Sequence, residues 1–389
     1  MRDVVIVGAG PVGLTLALGL ARKGIDVLVL EKNAGTADYS RAPAIWPASQ
    51  EILATLGVME RFEAEGISLP RIELVDHDRQ RVILTLPVEE LRDETDFPRL
   101  LIVPQSRTEA LLCETLREET GAVVQFSSEV MRIRQSSSAV ELTYRQGETE
   151  KTVHARFVAG CDGARSTLRK AIGSSFEGLT YATQAALADI EVPESTGLPF
   201  PRMTTRPRLA VAIRIDQRLW RLILPFTADD QRSKEQRIED AVSNLFPPLD
   251  YTTVWESEFH LHRRVSSSWV DGRVVLAGDA AHLNSPVGGQ GMNAGIMDAD
   301  LLTTALQTAL DENSREPLQR YVIERKAAIE GGVNPFTNGM TRILLAGGGR
   351  TVRPSMRLIN LLLHIPPLRK RILRRLAMLK SIRKHENDK

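Results

Sequence analysis

The chain opens on Val4-Val5-Ile6-Val7, four apolar residues with no polar position between them, and continues after a short gap as Pro11 to Lys23, where leucine, alanine and glycine take over. An unbroken β-branched run reads as a strand buried on both faces, and the stretch after it as a helix. Gly24 ends that helix, and a second apolar run, Val27-Leu28-Val29-Leu30, completes a predicted βαβ unit.

Helix and strand patterns then alternate. Gln50 to Leu56 is predicted helical and ends at Gly57, while Arg71 to Val75 and Arg81 to Leu86 read as a strand pair around the polar turn Asp76-His77-Asp78-Arg79-Gln80. Ser106 to Glu119 has helical spacing, with Ala110, Leu111, Leu112 and Leu116 on its apolar side. Strands are expected at Ala122 to Phe126, Val130 to Gln135 and Val140 to Tyr144, and Phe157-Val158-Ala159-Gly160-Cys161 is another buried run. From Tyr181 to Val265 the pattern is mostly β, including Leu209 to Ile215 and Leu219 to Pro225 around the short turn Asp216-Gln217. A long helix is predicted from Gly291 towards Leu310. One α/β domain interrupted by a second, mostly β domain accounts for this order.

The tail departs from the rest. From Arg350 to Lys389 it carries twelve Lys/Arg against two acidic residues, and Leu361, Leu362, Leu363, Leu368, Ile372, Leu373, Leu376 and Leu379 recur at roughly helical spacing around Pro366-Pro367. A basic amphipathic helix can lie on a membrane surface. Packing on its own domain with its charges in water is the expected alternative, and the one favoured here.

Composition narrows the classes. At 389 residues two domains are expected; 42% hydrophobic and 25% charged residues with a net charge of +1 fit an ordinary globular chain and suggest no nucleic-acid partner. No apolar run approaches membrane-spanning length. The apolar start resembles a signal peptide only superficially, because Gly8, Gly10, Pro11 and Gly13 interrupt it and no cleavage pattern follows; a cytoplasmic location is expected. Cys113 and Cys161 read as small buried side chains, and the seven histidines show no metal-ligand spacing.

Three segments carry chemistry. In Gly8-Ala9-Gly10-Pro11-Val12-Gly13, the first glycine permits a tight turn, the second lets backbone approach a pyrophosphate, and the third lets helix and strand pack closely. The helix start then offers free N–H groups to phosphate. Glu31, at the end of the second strand, stands where a ribose hydroxyl needs an acceptor. The second segment, Asp162-Gly163 after a buried strand, opens into a helix with Arg165, Arg169 and Lys170, and would suit phosphate or a nucleotide edge. The third, Val275-Leu276-Ala277-Gly278-Asp279, is a strand running into a Gly-Asp turn that could hold the far end of a long dinucleotide, for which FAD is the expected ligand.

With Pro286-Val287-Gly288-Gly289-Gln290-Gly291-Met292-Asn293 after the third segment, the chain resembles the flavoprotein monooxygenases of the para-hydroxybenzoate hydroxylase-like family, the single-component aromatic hydroxylases. The resemblance covers nearly the whole chain and is weakest from about 181 to 265. It implies a Rossmann-like (GR2-type) FAD-binding domain made of residues 1–70, 101–180 and 266–345, an inserted substrate-binding β-sheet domain made of 71–100 and 181–265, and a C-terminal helical segment, 346–389. It also implies cofactor roles. Asp279 would accept from the ribityl chain, Asp162 and Gly163 would serve FAD and the nicotinamide nucleotide, and Gln105 and Arg107 would contact the cofactor from a helix start. Arg41 would touch the diphosphate or gate the flavin; Gly289, Gly291, Met292 and Asn293 would face the pyrimidine ring, with Pro286 against the ring where oxygen reacts.

The reaction implied is reduction of FAD by NADPH or NADH, capture of O2 as a flavin C4a-hydroperoxide, and transfer of one oxygen to an electron-rich small molecule. No second G-x-G-x-x-G is present for the reductant, which would bind transiently. No side-chain catalyst is therefore assigned, and His282 is read as a helix-start histidine bonded to backbone. Val211, Ile213, Trp220, Leu222 and Leu224, with Leu209 and Phe226, are candidate floor residues of an apolar substrate pocket, or equally the core face of a sheet. A reductase without oxygen transfer and a non-catalytic FAD-binding protein stay open. A flavin halogenase is disfavoured because Trp46, Trp220, Trp255 and Trp269 lie far apart and its W-x-W-x-I-P signature is missing.

Overall fold

The opening apolar run forms the middle of an eight-stranded sheet. Arg2–Val7 lies parallel between Val27–Leu30 and Thr149–Gly160, with Val4, Val5 and Ile6 fully buried. Val123–Gln125 extends the sheet in parallel on one side and Val274–Leu276 on the other. Val140–Gln146 and Ser128–Gln135 add an antiparallel wing, and Val270–Asp271 an antiparallel edge. The computed structural model describes residues 1–37, 42–192, 197–345 and 351–379.

Register brings the distant turns together. Val7 is the partner of both Leu30 and Gly160, and Gly160 of Leu276, so four strands end side by side. The helices Pro11–Arg22, Gln105–Thr120 and Gly291–Asp311 rest against this sheet, the first packed on the other two. The approach is close: a Cβ on Gly19 would sit 2.7 Å from Thr303 Oγ1.

The second sheet also has eight strands. Its order is His282–Leu283, Thr252–Ser266, Phe176–Glu191, Leu219–Phe226, Ala210–Arg214, Arg202–Thr204, Arg71–Asp76 and Arg81–Pro87. Only the Arg202–Thr204 pairing with Arg71–Asp76 is parallel. A small antiparallel sheet of Ala44–Ile45, Leu100–Ile102 and Ile67–Leu69 sits apart from both.

A helix at Lys234–Leu245, inside the stretch expected to be mostly β, covers one face of the second sheet. Its start has a capping box: Ser233 accepts from Gln236 N, and Gln236 Oε1 accepts from Ser233 N. Ile238, Ala241, Val242 and Leu245 pack beneath it on Ala186, Ala188, Ile190, Trp220, Leu222 and Leu224. Of the two readings of these strands, pocket floor or core face, the second holds for Trp220, Leu222, Leu224 and Phe226, which pack into a closed core because strand alternation turns them away from the first sheet. Val211 and Ile213 occupy the opposite face, where Ile213 packs on the core of the first sheet.

The tail forms Val352–Leu363 and Pro366–Leu376. Val352, Met356 and Leu363 bury against Ile83, Leu84 and Met203 of the second sheet, whereas Leu373, Leu376, Ala377, Met378 and Leu379 enter the main core. Asn360 Oδ1 accepts from Thr85 N at 3.1 Å, using an N–H of the outermost strand, and Arg353 binds both Asp76 and Asp78. Among the described residues no helix is long and apolar enough to cross a membrane.

Candidate active site

Three turns leave the aligned strand ends. Gly8, at φ +106°, turns so close beneath its neighbour that a Cβ there would lie 2.4 Å from Cys161 O, and one on Gly13 would lie 2.0 Å from Gly8 O. Gly10 differs, for a Cβ there would meet no atom of the described residues within 4 Å. The Pro11–Arg22 helix begins there with no side-chain cap and no acidic residue in its first turn. Open space beside uncapped N–H groups is what a pyrophosphate requires.

Glu31 lies next to this loop. Its carboxylate accepts from Ala9 N and Asn33 N, each at 2.8 Å, and is buried. A second carboxylate, Glu109, which sequence reasoning missed, accepts from Ala37 N at 2.8 Å and from Gln105 Nε2 at 2.9 Å. Burial pushes the Glu109 pKa up, with the charge of Glu31 adding to it and the two donors opposing it. Gln105 thus holds Glu109 beside the nucleotide loop. Arg107, the other residue of this helix start expected at the cofactor, forms a bidentate pair with Glu65 at 2.7 Å. Arg41 falls outside the described residues.

Asp162 is the hinge of the second turn. Its Oδ2 accepts from Thr167 N at 2.7 Å and Leu168 N at 3.1 Å, while Oδ1 is shut off from solvent with no partner among the described residues. Burial raises its pKa despite those donors and Ser166. Gly163, at φ +74°, has open space above it. An orphaned carboxylate oxygen and a bare glycine fit a ligand that donates hydrogen bonds.

The third turn stands on a buried ion network absent from the sequence reading. Asp298, fully buried, accepts from Gly278 N at 2.9 Å, His282 Nε2 at 2.7 Å and Arg325 Nε at 2.6 Å. Burial opposes ionisation here, but His282 and Arg325 outweigh it and hold the Asp298 pKa below the ordinary carboxylate value. His282 stacks on Trp269 at 5.2 Å and is 1% exposed. The expected backbone-bonded histidine at a helix start is therefore a carboxylate-bonded one on a short strand. Asp279 projects from this support at the surface of the turn.

The glycine-rich stretch adjoins the same place, since a Cβ on Gly295 would lie 2.4 Å from Val12 Cγ2 and 3.5 Å from Gly278 Cα. Gly288 and Gly289 take φ +92° and +62°. Trp46, also missed, donates its indole N–H to Gly288 O at 2.9 Å. Asn293 is buried and its side chain is fully engaged: Oδ1 accepts from Trp46 N, and Nδ2 donates to Ala44 O and Gly289 O. Asn293 therefore shapes the turn through the protein contacts of its side chain. Gly291 and Met292 begin the Gly291–Asp311 helix without a side-chain cap, and Pro286 is exposed beside them.

The face of the second sheet opposite Trp220 carries a buried bidentate pair, Arg221 Nε and Nη2 on Asp189 at 2.8 and 2.7 Å, flanked by Ile213 across the strand. Their spacing of thirty-two positions along the chain gave no sequence signal.

Residues 1–334 match the model of the FAD binding domain family. Para-nitrophenol 4-monooxygenase of Pseudomonas sp. (strain WBC-3) is 30% identical over 84% of this chain and 83% of its own. The 12-dehydrotetracycline 5-monooxygenase/anhydrotetracycline 6-monooxygenase of Streptomyces rimosus is 31% identical over 94% of this chain and 74% of its own. The crystal structure of p-nitrophenol 4-monooxygenase from Pseudomonas putida DLL-E4 superposes with a TM-score of 0.88 at 25% identity, covering 97% of this chain and 98% of that one. With the uncapped cradle, the orphaned Asp162 oxygen and the buttressed Gly-Asp turn meeting at one edge of the first sheet, this chain belongs to the FAD-dependent aromatic monooxygenases.

Proposed function

We propose that this monooxygenase uses NADPH or NADH and O2 to hydroxylate an aromatic or other electron-rich, hydrophobic small molecule. The observation that carries the proposal is the alignment of Val7, Gly160 and Leu276, which sets the three turns side by side at one end of the first sheet. When bound, FAD supplies the two-electron chemistry and the activation of oxygen.

The residues of the chain would hold and orient it. Gly10 and the uncapped helix start would take the pyrophosphate, Glu31 the ribose, and Asp279 a hydroxyl of the ribityl chain. The Gly291–Asp311 helix would place its positive end by the ring and favour the reduced, anionic form. Asp298, His282 and Arg325 would act as positioning residues, fixing the Gly278 turn from beneath. Residues 1–70, 101–180 and 266–345 would make up the cofactor domain, and 71–100 with 181–265 the substrate domain. Val211 and Ile213, on the face turned towards the first sheet, would line the substrate side, with Arg221 held rigid by Asp189. That one relative is a para-nitrophenol monooxygenase and another acts on tetracycline intermediates supports a phenolic or fused-ring substrate.

The test is oxidation of NADPH and of NADH by FAD-loaded protein against para-substituted phenols and polycyclic aromatic ketones, with hydrogen peroxide and product mass recorded together. A compound that accelerates oxidation and gains one oxygen atom is the expected result. Nicotinamide oxidation that yields peroxide without product from every compound would count against this substrate class. Failure of both nucleotides to reduce the flavin would overturn the proposed reductant.

A further inference from the structure

Four of the ten large apolar side chains exposed among the described residues lie close together on the tail: Leu358 at 58%, Leu361 at 65%, Ile365 at 45% and Leu368 at 38%. Leu358 and Leu361 are neighbours three residues apart on the Val352–Leu363 helix, and Ile365 and Leu368 follow at the start of the Pro366–Leu376 helix. The Val352–Leu363 helix buries its other stripe, Val352, Met356 and Leu363, on the second sheet. It is therefore apolar on two sides, and the described residues cover only one. Large apolar side chains exposed together in this way mark a contact surface.

The charges around the row identify what it meets. Residues 352–379 contain no acidic side chain. Several of their cations serve the fold: Arg353 pairs with Asp76 and Asp78, Arg369 with Glu90, and Lys370 and Arg374 with Glu94. Arg357 and Arg371 are exposed and form no salt bridge among the described residues, and in the sequence they stand just before Leu358 and one turn after Leu368. Beyond the described residues, the sequence adds Lys380, Arg383, Lys384 and Lys389 against Glu386 and Asp388. A second copy docked by two-fold symmetry would bring the unpaired cations Arg357 and Arg371 against those of its partner in a contact that excludes water. An anionic bilayer offers apolar chains to the leucines and phosphates to the arginines.

We infer that the outer face of the C-terminal helices is a docking surface for anionic membrane. Leu358, Leu361, Ile365 and Leu368 enter the headgroup boundary, and Arg357 and Arg371 pair with lipid phosphates. The inference is independent of the substrate and of the reductant.

Its test uses full-length, FAD-loaded protein and two vesicle types, phosphatidylcholine alone and phosphatidylcholine mixed equally with phosphatidylglycerol. The expected result is co-sedimentation with the anionic vesicles, weakened by added salt. Leu358→Asp combined with Leu361→Asp should abolish it, and Arg357→Glu combined with Arg371→Glu should weaken it by about tenfold or more. Both variants should keep normal flavin absorbance and thermal midpoint, since all four side chains are at the surface. Absence of wild-type binding, equal binding to the uncharged vesicles, or binding unchanged in the leucine variant overturns the inference. So does a wild-type dimer in gel filtration that Leu361→Asp converts to monomer without any vesicle binding, which would assign the row to a second copy.

Discussion

Gly10 and Gly13 look alike in the sequence and answer different physical demands. A Cβ at Gly13 would be 2.0 Å from a backbone oxygen, whereas one at Gly10 meets nothing among the described residues. Gly10→Ala is therefore expected to fold with its apoprotein stability changed by less than about 1 kcal/mol, yet to lose FAD on gel filtration. Gly13→Ala is expected to cost at least ~3 kcal/mol through forced displacement of the turn. Thermal melts of apoprotein, read beside flavin content, separate the two. Asp162 gives a second prediction. Its pKa is raised in the folded protein, so its ionised form destabilises the fold above that raised value, and the cost fades as pH falls towards the ordinary carboxylate range. Asp162→Asn should thus raise apoprotein stability by about 1 kcal/mol at neutral pH, with the advantage shrinking on acidification, while weakening FAD retention. A gain that is constant from neutral to acidic pH would show that its burial is not the cause. Such a trade is expected where a carboxylate is retained for a ligand.

The Gly291–Asp311 helix links three structural roles through Asp298. One carboxylate holds the Gly278 turn, His282 and Arg325, so helix, strand end and turn are fixed as a unit. Asp298→Asn leaves Arg325 buried without its counter-charge and is expected to cost on the order of 3 kcal/mol or more. Because the folded pKa of Asp298 is depressed, its contribution is present above the unfolded carboxylate pKa and is lost as pH falls through the folded value. The difference in stability between wild type and variant should therefore narrow only at strongly acidic pH. None of this was legible beforehand, since Asp298 sits among apolar helical positions and its partners lie sixteen and twenty-seven residues away. The glycine turns were legible because phosphate binding constrains consecutive residues. The helix Lys234–Leu245 was missed although Ser233 and Gln236 spell a capping box. Missing it hid the reason Trp220, Leu222 and Leu224 face away from the first sheet, for alternation gives two faces but does not say which one is covered.

The tail decides how the whole molecule closes. Its first helix seals the outer strands of the second sheet, and its last residues fill the main core, so one segment spans both. Gln290, at the start of the Gly291–Asp311 helix, donates to Arg375 O at 3.2 Å, and Ala48 N donates to Ala377 O at 3.2 Å, which ties the glycine-rich turn to the tail backbone. Removing Pro366–Lys389 would uncover Leu373, Leu376, Ala377, Met378 and Leu379 from that core. At roughly 1.5–3 kcal/mol for each large apolar side chain, the loss approaches about 10 kcal/mol. The net stability of a folded domain is only about 5–15 kcal/mol. The truncated chain is therefore expected to unfold or aggregate and to retain little FAD, and a membrane role for the tail must be sought with surface substitutions alone. Gln290→Ala offers a finer measurement: it should keep the fold, lower the thermal midpoint by a few degrees, about 1 kcal/mol, and reduce flavin occupancy through the loosened turn. A truncated protein that stays soluble with full flavin content would show instead that the two sheets close without the tail, and that its packing adds to stability without creating it.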